Sequence, residues 1–128
     1  MGNFHNDVAD AMLDAFARNV AYQNAAVWVK LHTGDPGSAG TLAAAANTTR
    51  QQATFGTPAA GGAISNTVQI EWATVPNSET YAWVSLWTAS TAGVFLGNDQ
   101  LSSPAVMTAG DTFRIAVGEL DLTIATVL

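Results

Sequence analysis

The hydrophobic period changes once along this chain, near residue 26, and that change limits the folds open to it. Before it, Val8, Met12, Phe16 and Val20 recur every fourth position, flanked by Ala11, Leu13 and Ala15. Asp7, Asp10 and Asp14 fall on the other side. Residues four apart share one helical face, so the spacing predicts an amphipathic helix over 3–20. Asn3 or Asn6 is placed to cap its first turn, and Asp14 and Arg18 form an i,i+4 pair. Asn24 and the alanines after it end the helical pattern without a strong stop signal.

After residue 26 the period is two. Val27, Val29 and Leu31 alternate with Trp28, Lys30 and His32; Val68, Ile70 and Trp72 with Gln69 and Glu71. Ala82, Val84 and Leu86 alternate with Trp83, Ser85 and Trp87; Phe113, Ile115 and Val117 with Arg114 and Ala116; Leu120, Leu122 and Ile124 with Asp121 and Thr123. Such alternation marks half-buried antiparallel strands. Turn-forming clusters separate them at Gly34 to Gly37, Pro58 to Gly62, Pro76 to Ser78, Gly97 to Asp99 and Ala109 to Asp111. No helical crossover lies between strands, which argues against a parallel sheet. The expected fold is mainly β: an antiparallel, jelly-roll-like β-sandwich over 26–128 with one N-terminal α-helix, all in a single domain over 1–128. Residues 37–52 have no clear period. They read as a long contact-making loop, or as a helical turn at Ala43 to Ala46.

Composition removes several function classes. A chain of 128 residues can bury one core. It has no apolar run near the ~18 residues of a membrane span. The first residues carry acids early and lack a basic start, so neither a secretory nor a transit leader is expected, and Asn6 breaks the myristoylation pattern begun by Gly2. Without cysteine there is no disulfide and no Cys-held zinc. Ten acids against four bases give a net charge of −6, which disfavours nucleic acid as a partner.

The stretch Leu31-His32-Thr33-Gly34-Asp35-Pro36-Gly37 gathers residues that also occur in ligand loops. It lacks both the Gly-Lys-[Ser/Thr] ending of a P-loop and the Gly-x-Gly-x-x-Gly of a dinucleotide loop. Pro36 presets one turn angle, Gly37 accepts positive φ and Asp35 can bond the backbone two residues on, so a structural turn accounts for all three. His32 alternates with the inward residues and is expected at the surface or in an interface. With His5 it makes no metal-ligand spacing. Asp7, Asp10 and Asp14 are spaced as a solvated helix face, not as a calcium loop. Asp99 and Asp111 are placed in turns with backbone-capping roles. Glu71 and Glu79 are the one pair that geometry would have to exclude as acid–base partners. No Gly-x-Ser-x-Gly elbow is present. The expectation is a non-enzyme with no cofactor and no metal. Trp83 and Trp87, read on one strand face with Tyr81, make that strand apolar on both faces. It is then covered twice by its own chain or meets another chain. A saccharide platform is the alternative.

Five motifs together resemble a family of small virion proteins of tailed phages, especially those of actinobacteria. They are the turn Leu31 to Gly37, the Thr-Arg-Gln element Thr49 to Gln51, the strand end Trp72 to Val75, the strand Tyr81 to Trp87 and the hairpin Ala109 to Ile115. Members are variously labelled head decoration, tail fibre or minor tail proteins. The resemblance covers roughly residues 26–125 and implies a virion structural protein made in the host cytoplasm. The short, unrepeated chain favours a capsid decoration (cement) protein on the outside of the head shell. Its partners would be the major capsid protein and sister copies. The first alternative is a tail fibre or minor tail protein with tail partners, and the second is a carbohydrate-binding module. Neither nucleic acid nor a membrane is implied. The expected interface residues are Val8, Met12, Phe16, Thr41, Leu42, Trp83 and Trp87.

Overall fold

The computed structural model describes residues 2–125. In chain order its elements are β1 (Gly2–Phe4), α1 (Asn6–Ala17), β2 (Val27–His32), β3 (Gln51–Ala53), β4 (Ala63–Ser65), β5 (Ile70–Trp72), β6 (Glu79–Trp87), β7 (Phe95–Met107), β8 (Phe113–Ile115) and β9 (Asp121–Thr123). The main layer is a five-stranded sheet in the order β1-β7-β6-β2-β3. Two antiparallel ribbons, β4 with β9 and β5 with β8, complete the architecture. Residues 126–128 of the expected β region lie outside the described residues.

The alternation builds the core as expected. Val29 and Leu31 of β2 and Val84 and Leu86 of β6 are buried on one face of the sheet. They join one apolar cluster with Ile70 and Trp72 of β5 and with Phe113 and Ile115 of β8. The Phe113 ring lies 5.6 Å from that of Trp72 and 5.2 Å from that of Tyr81. The fold is therefore mainly β and antiparallel with one N-terminal helix, and the second layer is a pair of short ribbons.

The departures have local causes. Helix α1 is shorter than 3–20 because Asn3 is taken into β1, and His5, not Asn3 or Asn6, is the cap: its Nδ1 accepts from the Asp7 N–H at 3.3 Å. At the other end Asn19 adopts φ +56°, and the N–H groups of Arg18 and Val20 both return to the Asp14 carbonyl. Asparagine enters the left-handed region more easily than most residues, so it stops the helix before Val20. The Asp14–Arg18 pair forms at 3.3 Å.

Gly97 to Asp99, expected as a turn, lie inside β7, and Asp99 is a buried strand residue. The turn-like composition of this stretch has another use. Phe4 pairs opposite Gly97, and any Cβ there would collide with the Asn3 backbone, so β1 docks because position 97 is glycine. Further along, the pairing steps from Tyr81↔Ala105 to Trp83↔Gln100, leaving Leu101 to Pro104 as a bulge. Pro104 is tolerated there because no ladder N–H is required. The same irregularity takes Tyr81 out of the Trp83 row and into the core against Phe113. Val68 and Val117 fall outside strands and are exposed. The buried Asn66 side chain donates to the Val68 and Ala116 carbonyls and accepts from the Leu120 N–H, so it takes up backbone groups beside those short ladders.

Candidate functional site

The second face of the sheet holds the residues that sequence reasoning singled out. Trp28↔Trp87, Lys30↔Ser85 and His32↔Trp83 are directly paired across β2 and β6, and partners in an antiparallel pair share a face. His32 is fully buried, which overturns its expected surface position. The cause is the 37–52 segment. It forms no helix and folds back over this face, with Ala44 bridging to His32 and Ala45 bonding Leu31.

The bonds around His32 fix the tautomer of its neutral ring. Nδ1 lies 2.8 Å from the Leu42 carbonyl, which can only accept, so Nδ1 carries the hydrogen. Nε2 lies 2.7 Å from Ser85 Oγ, and that oxygen already accepts the Trp87 indole N–H at 2.7 Å. The hydroxyl hydrogen is then free to donate to Nε2. The result is a neutral imidazole in a directed chain from Trp87 through Ser85 and His32 to Leu42. Burial lowers the His32 pKa in the same sense, and the Lys30 charge adds to it.

Around this chain the covering loop is pinned by further specific contacts. The Arg50 guanidinium sits 4.4 Å from the Trp87 ring centroid and donates to the Ala89 and Ala92 carbonyls, each at 2.8 Å. Phe95 packs at 5.3 Å from Trp87 and 5.4 Å from His5. Gly40, at φ +72°, lies so close to the Phe95 ring that a Cβ would enter it. The Asp35 carboxylate accepts from the Gly37 N–H at 2.8 Å, so the turn assigned to Asp35, Pro36 and Gly37 forms as the residues dictate.

Ser85 and His32 have the spacing of a nucleophile and its base, but both are fully buried. The carboxylates have other partners. Glu71 pairs with Arg114 at 2.9 Å, and Glu79 accepts from the Ala46 and Asn47 N–H groups at 2.8 and 3.0 Å. Asp111 accepts from the Thr108 N–H, as its turn requires. Among the described residues no group of three or more His, Asp or Glu side chains is arranged to hold a metal ion. Among the described residues no helix is long and apolar enough to cross a membrane.

The open feature of this face is a shallow groove of about 480 Å³ lined by Asn3, Trp83, Gln100, Leu101 and Ser102. Pairing of Trp83 with Gln100, and of Asn3 with Asn98, brings these side chains together. Asn3 also lines an adjoining hollow of about 300 Å³ with His5, Asp35, Ser38, Phe95 and Asn98.

With this geometry established, the chain can be compared with known families. A family model described as "Podophage GP4 fiber I protein gp80" matches residues 3–123. The chain belongs to that family. No curated protein matches it. Membership agrees with the resemblance at the level of a phage virion protein, and the chain is a phage virion structural protein.

In this member of the gp80 family the resembling motifs land on internal contacts. The Thr49 carbonyl accepts the Trp72 indole N–H at 2.8 Å, Arg50 holds Trp87, and Val75 bonds both Asp111 and Gly110 through its backbone. These motifs mark the fold.

The seven expected interface residues separate into groups. Val8 belongs to the chain's own core and Met12 packs partly against it, whereas Phe16 is 89 % exposed. Thr41 and Leu42 are exposed on the covering loop. Trp87 is held internally, and Trp83 lines the groove. Sequence reasoning missed Asn3, Gln100 and Ser102. For Gln100 and Ser102 the available signal was the polar run after Gly97, hidden because Gly97 to Asp99 read as a turn.

Proposed function

We propose that the chain is a component of a phage tail fibre, acting as a non-enzymatic building block whose partners are neighbouring tail proteins and sister copies. The observation that carries this reading is the match to the podophage fiber I family over residues 3–123. It spans the helix, the sheet and both ribbons, so the likeness belongs to the whole fold and not to one motif. A structural role is supported by the commitment of the polar groups. His32, Ser85, Glu71, Glu79 and Asp111 each hold another part of the chain in place.

Capsid decoration is the second reading. It is favoured by one property, the absence of an internal repeat in the sequence, which suits a compact subunit added in many copies to a shell. The family description favours the fibre. Gold-labelled antibody on intact virions, with quantitative mass spectrometry of copy number, separates the two. The fibre reading expects label at the tail and a copy number far below that of the major capsid protein. Label spread over the head, at a copy number approaching that of the shell subunit, overturns it in favour of decoration.

A further inference from the structure

We propose that the groove around Trp83 is a binding site for a neutral saccharide, with the indole as the stacking surface and Asn3, Gln100 and Ser102 as the polar contacts. Two of the four tryptophans are fully committed to internal contacts. Trp72 donates its indole N–H to the Thr49 carbonyl and packs on Phe113. Trp87 donates to Ser85 and is sandwiched by Phe95 and Arg50. Trp28 and Trp83 are both half-buried, and among the described residues neither has an acceptor for its N–H or a ring or cation against its face; of the two it is Trp83 that lines this groove. Its N–H is also absent from the buried groups that lack partners, so it meets solvent. An indole so placed offers an apolar plate and a polar edge together.

The groups beside it are equally uncommitted. Gln100 and Ser102 make no side-chain hydrogen bond to a described residue, and Asn3 makes one long contact, 3.4 Å to Asn98. Amides and hydroxyls both donate and accept, which matches the vicinal hydroxyls of a sugar ring. Sites built from a few polar groups around an apolar surface orient small ligands in this way. Ligand charge is decided by what is missing. No Lys or Arg lines the groove or the adjoining hollow, Asp35 lies in the latter, and the chain carries −6 overall. Acidic sugars and nucleic acid are disfavoured on that ground. A proline-rich peptide needs a groove lined by several aromatic rings, and Trp83 is the one ring in this groove. The pairing of β6 with β7 and of β1 with β7 fixes Asn3 and Gln100 beside Trp83, so this part of the site is preorganised on strands, and Ser102 comes from the adjoining bulge.

The test is a titration of the full chain with glucose-, galactose- and N-acetylglucosamine-terminated oligosaccharides, followed by indole fluorescence and on an array that also carries sialylated glycans. At least one neutral series is expected to bind with Kd at or below about 1 mM. Trp83→Ala is expected to weaken it at least about tenfold, and Gln100→Ala about threefold, the sizes of one stacking and one hydrogen-bond contribution. Trp83→Phe keeps a ring in the sheet and covers the case in which the alanine variant misfolds; it is expected to bind with intermediate affinity. Phe16→Ala, remote on the helix, is expected to bind as the parent does. The proposal is overturned if no neutral probe binds at that level, if only acidic glycans or proline-rich peptides bind, or if both folded Trp83 variants bind unchanged. The outcome is independent of the fibre reading. A tail-located protein that ignores every sugar sinks this site alone, and a sugar binder found on the head sinks the fibre alone.

Discussion

The two faces of the central sheet bury neighbouring residues by different physics. On one face Val29, Leu31, Val84 and Leu86 meet the β5–β8 ribbon through apolar contact, which has little directional demand. On the other, His32, Ser85 and Trp87 are covered by the 37–52 loop through bonds that require a donor and an acceptor at each step. The first face accepts any set of side chains of suitable volume. The second depends on single atoms, because a buried polar group that loses its partner costs about 1–3 kcal/mol. The comparison teaches that a fold can take its bulk stability from one face and fix the course of a long loop with the other.

The largest effect is expected on the apolar face. Leu31→Ala should lower the unfolding free energy by about 3 kcal/mol, since it removes a fully buried side chain and leaves a cavity. Leu31→Met, close in volume, should cost less than about 1.5 kcal/mol. Urea denaturation of both variants measures the difference, and equal losses would mean that this face is as exacting as the other. On the loop-covered face Gly40→Ala should cost about 2 kcal/mol, because it forces a side chain into the Phe95 ring at a positive φ. A neutral result in the same assay would show that the loop is not seated on Phe95. Trp87→Phe keeps the ring and removes the indole donor to Ser85, for an expected loss of about 1 kcal/mol. Limited proteolysis should then cut the 37–52 loop sooner than in the parent.

The same contrast explains what could be read from the sequence. The apolar face was legible because it depends on a two-residue period, and Val29, Leu31, Val84, Leu86, Phe113 and Ile115 all sit where that period puts them. The turn at Asp35 to Gly37 was legible because its chemistry is local. His32 was not. The alternation puts it away from the core, and its burial comes from a segment with no period of its own. Strand β7 was hidden for a related reason. Gly97 is there so that β1 can approach, and Gly97 to Asp99 reads as a turn until the partner strand is known. The groove inherits that blind spot, since Asn3 and Gln100 reach Trp83 only through pairings with β7.

The smallest expected effect is the dependence on pH, and it isolates the polar face most cleanly. Burial, with help from the Lys30 charge, holds the His32 pKa below its ordinary 6.5, against the opposing pull of the Leu42 carbonyl. Above about pH 6.5 the residue is neutral in both the folded and the unfolded chain, so it adds no slope there. Below that value the unfolded chain takes up a proton at this position and the folded chain does not. Stability therefore falls with pH until the lowered folded pKa is reached. Protonation also removes the acceptor that Ser85 donates to, so the same step breaks the directed chain between Ser85 and His32. Melting temperatures of the parent and of His32→Gln, at about pH 7.5 and about pH 5.5, test this. The variant should melt lower at the higher pH, and the gap should narrow at the lower one, because the parent alone carries this acid-sensitive step. A gap that stays constant would mean that folding leaves the His32 pKa unshifted, and a gap that widens would mean that its folded pKa is raised.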